Sequence, residues 1–262
     1  MTLFHNLVSG WRNCNLESPP YLFPDDVSYI TSGNFKVFQS FDEYVSSKEF
    51  GLSSDINMHT GLLPIPFVGN LEKATIFVLM LNPGLSAGDY FAEQQPEFRN
   101  SQIQNLRQEN ENVEYPFIFL NPQFAWHPGF VYWHKKFNDV IENLAKQLGT
   151  TYQEAMSILA KNLACLELLP YHSKSFGSGS SLKVLPSVKA MQNFVYEVLI
   201  PKAKDGKVTI IATRGVKNWQ LPKHENIIIY EGNETRSAHL SLTSRGGMAI
   251  ANHLSLLKQK SG

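Results

Sequence analysis

The sequence is poor in cysteine, with only Cys14 and Cys165 in 262 residues. Two cysteines make neither a disulfide framework nor a CxxC pair, which argues against an iron–sulfur or Cys-zinc site and fits a reduced, cytoplasmic protein. There is no apolar run of about 18 residues, so no membrane span is expected. The opening MTLFHNLVSGWRNCN has neither a basic segment nor a long apolar one, and no secretory signal is read there. Charge of one sign is not in excess, with 23 basic residues against 23 acidic. General affinity for nucleic acid normally rests on a basic surplus. Any such binding here must come from a local patch, with weak non-specific affinity. No internal repeat stands out. What is present is a globular composition, 43% hydrophobic and 18% charged, in a length that fits one large domain or two small ones.

Residues 1–69 are mixed and show no sustained period, apart from a short helix expected within 36–50 and a proline-bearing loop at 62–69. ATIFVLML (74–81) is different. A continuous apolar run with β-branched and aromatic members reads as a strand buried on both faces, as in a parallel sheet. Residues 93–114 are rich in Gln and Asn and read as a partly helical surface insertion. Helical spacing follows at 137–148 and 151–164, a strand at 165–171, a Gly/Ser loop at 173–187, and a helix at 188–203. Strands at 207–213 and 225–231 precede a closing helix at 246–260. Strands alternating with helices imply an α/β fold with a mainly parallel sheet. Ligands of such sheets bind outside the carboxyl ends of the strands. Three segments follow apolar runs and are expected at that rim: Asn82-Pro83-Gly84, Pro170-Tyr171-His172-Ser173 and Ser237-Ala238-His239.

Asn82 carries an amide that does not titrate, so it can hold a water in line but is a poor base. Gly84 permits close approach of a ligand to the backbone. The three residues also suit a plain strand-to-helix turn. His239 can donate to an oxygen that gains negative charge as a bond breaks. Ser241, Thr243, Ser244 and Arg245 offer donors to a phosphate. Leu242, in their midst, is either core or an apolar wedge for a gap in a base stack. In QFAWHPGFVYWHKKF (123–137) most rings are expected in the core, and one exposed ring would suit stacking on a nucleobase. His127 and His134 have no evident third partner, which argues against a metal. Asp89 could act on a water or cap a helix.

These motifs, in this order, resemble the uracil-DNA glycosylase superfamily. LNPGLSAG is similar to the first motif of its mismatch-specific uracil/thymine branch, and FAWHP with YWHKKFNDVI to that branch's aromatic stretch, Trp126 being one inserted residue. AHLSLTSRGG followed by ANHLSLLK resembles the second motif of the uracil-specific branch. Leu240 and Leu242 stand where that branch has prolines, and the loop to Arg245-Gly246 is shorter. The resemblance covers residues 70–260 and implies a three-layer α/β/α sandwich with a short, mainly parallel central sheet. It also implies hydrolysis of the N-glycosidic bond of a nucleotide flipped out of DNA, without cofactor or metal. By resemblance, Asn82 positions the water and His239 donates to the departing base. Pro83, Gly84, Phe124 or Trp126, His172 and Ser173 border the base. Leu242 fills the vacated stack, and Ser241, Ser244 and Arg245 hold phosphates. The uracil-specific branch has aspartate at the position of Asn82, so slower chemistry is expected. The segment after the second strand lacks the family's uracil-reading Asn. The expected domains are an N-terminal extension, 1–69, on a glycosylase-like domain, 70–262, with the insertion 93–114. The expected partner of a monomer is DNA, single- or double-stranded. The base is uracil, a mismatched base or another modified base, including the modified bases of phage DNA removed in defence. Two other readings stay open: a silent nucleic-acid-binding module of this fold, and a hydrolase of free nucleosides or nucleotides.

Overall fold

The computed structural model describes residues 3–177 and 184–261. The central part of the Gly/Ser loop expected at 173–187 lies outside them. The chain forms two compact units, each assembled from separate stretches. The first comprises Met1–Phe67, Leu81–Glu109 and Glu167–Val198, and the second Val68–Met80, Asn110–Leu166 and Leu199–Gly262.

Along the chain, α1 (Leu3–Arg12) and the single turn α2 (Val27–Tyr29) precede strand β1 (Val37–Phe38). The helix α3 (Phe41–Val45) follows, started by Ser40, whose hydroxyl accepts from Glu43 N. Strands β2 (Met58–His59), β3 (Phe67–Val68) and β4 (Ile76–Met80) come next. Then α4 (Ala87–Ala92) and α5 (Pro96–Arg107) lead to α6 (Pro128–Leu148) and α7 (Tyr152–Asn162). β5 (Leu163–Glu167), α8 (Pro186–Phe194), α9 (Ile200–Lys204) and β6 (Thr209–Ala212) are followed by α10 (Val216–Trp219), β7 (Ile227–Ile229), α11 (Glu234–Ser237) and α12 (Arg245–Ser261).

Expected and observed elements differ in instructive places. The helix expected over 188–203 is broken: α8 gives way to a π-turn at Val195–Leu199 before α9. Pro201 has no N–H to donate back along the helix, which explains the break and the fresh start with proline in its first turn. The insertion 93–114 contains α5, and its Phe98, Gln102, Asn105 and Leu106 are buried, so one face is core rather than surface. Helix α1 had no expected counterpart. Its Leu7, Val8 and Trp11 are buried at helical spacing.

In the first unit α1 packs on α5 and α8. A buried network ties this region together: Asp26 accepts from Tyr171 Oη at 2.6 Å and from Ser187 N at 2.9 Å. Burial raises the Asp26 carboxyl above the ordinary range, against the lowering effect of the Ser187 and Tyr171 bonds.

The second unit is built on a five-stranded sheet of order β3-β5-β4-β6-β7. β4 pairs in parallel with β6, and β6 with β7. The bonds Thr75 N to Asn162 O and Leu169 N to Leu81 O advance together along β4 and β5, so that pair is parallel too. Glu167 N donates to Pro66 O, while a Cβ on Gly69 would meet Leu163 O at 2.3 Å, which makes β3 antiparallel to β5. Gly69 adopts φ +106°, and only a residue without Cβ permits that approach. The sheet is therefore α/β and mostly parallel, with α6 packed on α7 and α12. Among the described residues no helix is long and apolar enough to cross a membrane.

β4 has β5 on one side and β6 on the other, so the strand order reverses at β4. Outside the carboxyl end of such a strand the connecting loops part, which is where α/β sheets bind ligands. The chain leaves β4 into Leu81-Asn82-Pro83-Gly84.

Candidate active site

Asn82, Pro83, Gly84, His172 and Ser173 belong to the first unit, and that unit brings them together. The Asn82 Nδ2 group donates to Pro83 O at 2.9 Å, to Ser173 Oγ at 2.9 Å and to Ser173 O at 3.2 Å. Carbonyl oxygens only accept, so they dictate which end of the amide faces them. Oδ1 is left over and accepts no hydrogen bond from the described residues. Ser173 is fully buried and entirely engaged: its Oγ donates to Ser175 O at 3.0 Å and its N to Pro83 O at 3.3 Å. It orients Asn82 and has no hydroxyl proton to offer a ligand.

His172, also buried, holds the other end of the turn, with Nδ1 2.8 Å from Gly84 O. In the neutral ring this carbonyl holds the proton on Nδ1 and leaves the lone pair on Nε2. Asp89 Oδ2 lies 4.0 Å from the same Nδ1. Asp89 also caps α4, accepting from Ser86 N at 2.6 Å in a reciprocal capping box, as one of its two expected roles required. Burial raises the Asp89 carboxyl, while His172 and the Ser86 bond oppose that.

Sequence reasoning missed three neighbours: Asp55, His59 and Tyr90. His59 N donates to His172 O at 2.8 Å in an isolated antiparallel bridge. Residues opposed in such a bridge present side chains on one face, so the two imidazoles are neighbours. The His59 ring packs edge-on to Tyr44 at 4.6 Å, its Nδ1 lies 2.8 Å from Tyr90 Oη, and its Nε2 is 4.0 Å from Asp55 Oδ2. Burial, then the neighbouring His172, pushes His59 down to about 4, so it is neutral at pH 7. Asp55 Oδ2, His59 Nε2 and His172 Nε2 are buried and have no hydrogen-bond partner among the described residues. Nearby on the chain, Glu93 accepts from Leu63 N at 2.7 Å. Burial pushes Glu93 up to about 8, despite that bond and Arg99 at 3.4 Å. Nothing local in NMHTGLL announced His59. Its role comes from the bridge to a residue 113 positions later.

Phe124, Trp126, His239, Ser241, Leu242, Ser244 and Arg245 belong to the second unit. Phe124 is buried at 3% exposure, whereas Trp126 is 47% exposed and meets it edge-on at 6.5 Å. His127 caps α6, accepting from Gly129 N at 2.9 Å, and His134 Nε2 lies 2.9 Å from Tyr152 Oη. His239 is exposed and follows Ala238, which ends α11 at φ 46°. Lys136 Nζ donates to Ala238 O at 2.6 Å, and Tyr230 Oη donates to His239 O. Burial, then Arg214 and Lys135, lowers Lys136 to about 8.

Past His239 the polar groups serve the loop itself. Ser241 Oγ and Thr243 Oγ1 are 2.9 Å apart, and Ser244 Oγ donates to Ser241 O at 2.8 Å. The half-buried Leu242 has its N–H held by Asp139 at 2.9 Å. Arg245 is engaged by Glu234 at 2.9 Å and by Ile229 O at 2.7 Å, so a phosphate would have to share its guanidinium.

Comparison with protein-family models, with curated proteins and with solved structures finds no match. The functional reading therefore rests on the chemistry of these residues. An oriented amide oxygen can accept a hydrogen bond from a water, and a neutral imidazole with a bare Nε2 can take a proton.

Proposed function

We propose that the chain is a DNA glycosylase, hydrolysing the N-glycosidic bond of a base flipped from DNA. The observation that carries this reading is the orientation of Asn82. Its Nδ2 is spent on Pro83 and Ser173, and its Oδ1, just beyond the strand where the sheet order reverses, accepts no hydrogen bond from the described residues. A group of this kind can align a water but need not deprotonate it. It suits a reaction in which the sugar–base bond lengthens first and water meets an electrophilic sugar. The order of the motifs in the sequence supports the same reading. His239 keeps the role the resemblance assigns, donating to the departing base, and of the two rings the resemblance offers, Trp126 rather than Phe124 is exposed enough to stack on it.

The test is abasic-site formation by the full-length protein on single- and double-stranded oligonucleotides carrying uracil, a G·T mismatch or a hydroxymethylated or glycosylated pyrimidine. Strand scission by mild alkali after incubation with at least one of them is the expected result. Intact strands throughout, with the oligonucleotides still bound, would favour the silent binding module. The engagement of Arg245 by Glu234 favours one second reading, a hydrolase of free nucleosides or nucleotides, which needs no phosphate grip. Release of free base from nucleosides, unaffected by Arg245→Ala, would select it.

A further inference from the structure

The Asn82 amide leaves the reaction without a proton acceptor, and the first unit holds a side chain equipped to be one. We infer that His172 is the general base of this site: it takes the proton of the attacking water on Nε2, directly or across one further water. This rests on the glycosylase reading and adds to it.

Three features argue for His172. Its Nδ1 proton is committed to Gly84 O at 2.8 Å, which fixes the tautomer with the basic lone pair on Nε2. Asp89 Oδ2, 4.0 Å from Nδ1, supplies the counter-charge that the imidazolium needs once the proton arrives. Nε2 is buried without a partner among the described residues, although buried polar atoms are almost always paired, so the fold keeps an acceptor in reserve here. His172 and Ser173 also clasp the turn that carries Asn82, which ties the base and the water-holding amide to one short piece of backbone. His59, neutral at pH 7, adds no positive charge beside His172. Among the described residues the titratable groups facing His172 are Asp89 on α4 and His59 on β2, and His59 in turn meets Tyr90 on α4 and Asp55 before β2.

The chemistry balances. The bond between the sugar C1′ and the base nitrogen breaks with its electron pair on the base. Water oxygen bonds C1′, and one water proton passes to His172 Nε2. The anionic base then takes a proton from solvent, and His172 returns its own. Hydrolysis is complete with no outside oxidant or reductant.

The experiment has two arms on the full-length protein. In the first, 15N–1H spectra of 15N-histidine-labelled protein report the ring of His172. The expected result is Nδ1–H with a bare Nε2, and an Nε2–H tautomer overturns the proposal whatever the protein cleaves. In the second, single-turnover excision is followed from pH 5 to 9 on the oligonucleotide that wild-type protein converts fastest. Wild type should slow as His172 becomes protonated. His172→Gln should lose roughly 10²–10⁴-fold in rate and that acid limb together. Asp89→Asn removes the counter-charge and should move the limb to lower pH, which keeps the test open if His172→Gln fails to fold. A limb that stays put in Asp89→Asn, or a wild-type rate and profile in His172→Gln, overturns the base assignment and leaves the glycosylase reading standing. No excision by wild-type protein overturns both.

Discussion

The two regions with candidate chemistry are built on opposite plans. Around Asn82, in the first unit, Asp55, His59, His172 and Ser173 are buried, and Asp55 Oδ2, His59 Nε2 and His172 Nε2 have no partner among the described residues. Around His239, in the second unit, the polar side chains are exposed or half-exposed and serve the loop itself: hydroxyl to hydroxyl, arginine to glutamate. A buried polar atom without a partner costs stability and is retained where orientation or reactivity is needed. A self-satisfied surface loop costs little and presents a fixed shape. The first arrangement suits holding and activating a water, and the second suits contact with the nucleic acid and its departing base.

The largest effect that would sharpen this contrast is expected from Asn82→Asp. A carboxylate cannot donate to Pro83 O or Ser173 O, so three acceptors would face one another. The variant should lose about 2–3 kcal/mol of stability at pH 7 and recover part of it in acid, where a protonated carboxyl can donate again. Denaturant titration at pH 7 and pH 5 reads both. The aspartate that the resembled branch carries at this position is therefore a poor replacement here.

Gly247→Ala probes the other region. A Cβ there would sit 1.9 Å from Ser241 O, a backbone atom that cannot swing away. A loss of about 2 kcal/mol is expected, visible as a lower Tm. Gly84→Ala, which meets nothing within 4 Å, is the control and should stay within about 0.5 kcal/mol. Equal losses in the two variants would break the contrast between a packed loop and an open turn.

The first region should also respond to pH through Glu93, raised by burial from the ordinary 4.5 to about 8. A raised carboxyl favours the folded protein in its protonated form. That contribution is full below pH 4.5 and is lost as pH rises through about 8. Wild-type stability should therefore fall across this window, by at most about 1.4 kcal/mol per pH unit. Glu93→Gln keeps an acceptor for Leu63 N and should flatten the slope. The smallest effect belongs to Arg245→Ala, whose half-exposed pair with Glu234 contributes about 0–1 kcal/mol. A larger loss there would show that the surface loop depends on the pair.

How much of this was legible in the sequence follows from where each signal resides. β4 and the Asn82 turn were legible because a continuous apolar run ending in Asn-Pro-Gly is a local pattern. The cap by Asp89 is local too. Helix α6 was expected only from residue 137, because aromatic packing disguises its first turns as an irregular ring-rich stretch. Tertiary pairing does not appear in local spacing. The bridge from His59 to His172, the commitment of the Asn82 amide to Ser173 and the burial of Phe124 depend on segments distant in the chain. For that reason Ser173, expected against the base, turns out to be spent on orienting Asn82.

The most direct test of the central claim compares wild-type protein with Asn82→Ala in single-turnover excision on the best substrate of the oligonucleotide panel. If the free amide oxygen aligns the water, the variant should fold and bind as wild type does and excise roughly 10²–10³-fold more slowly. A variant that excises at the wild-type rate would contradict the account.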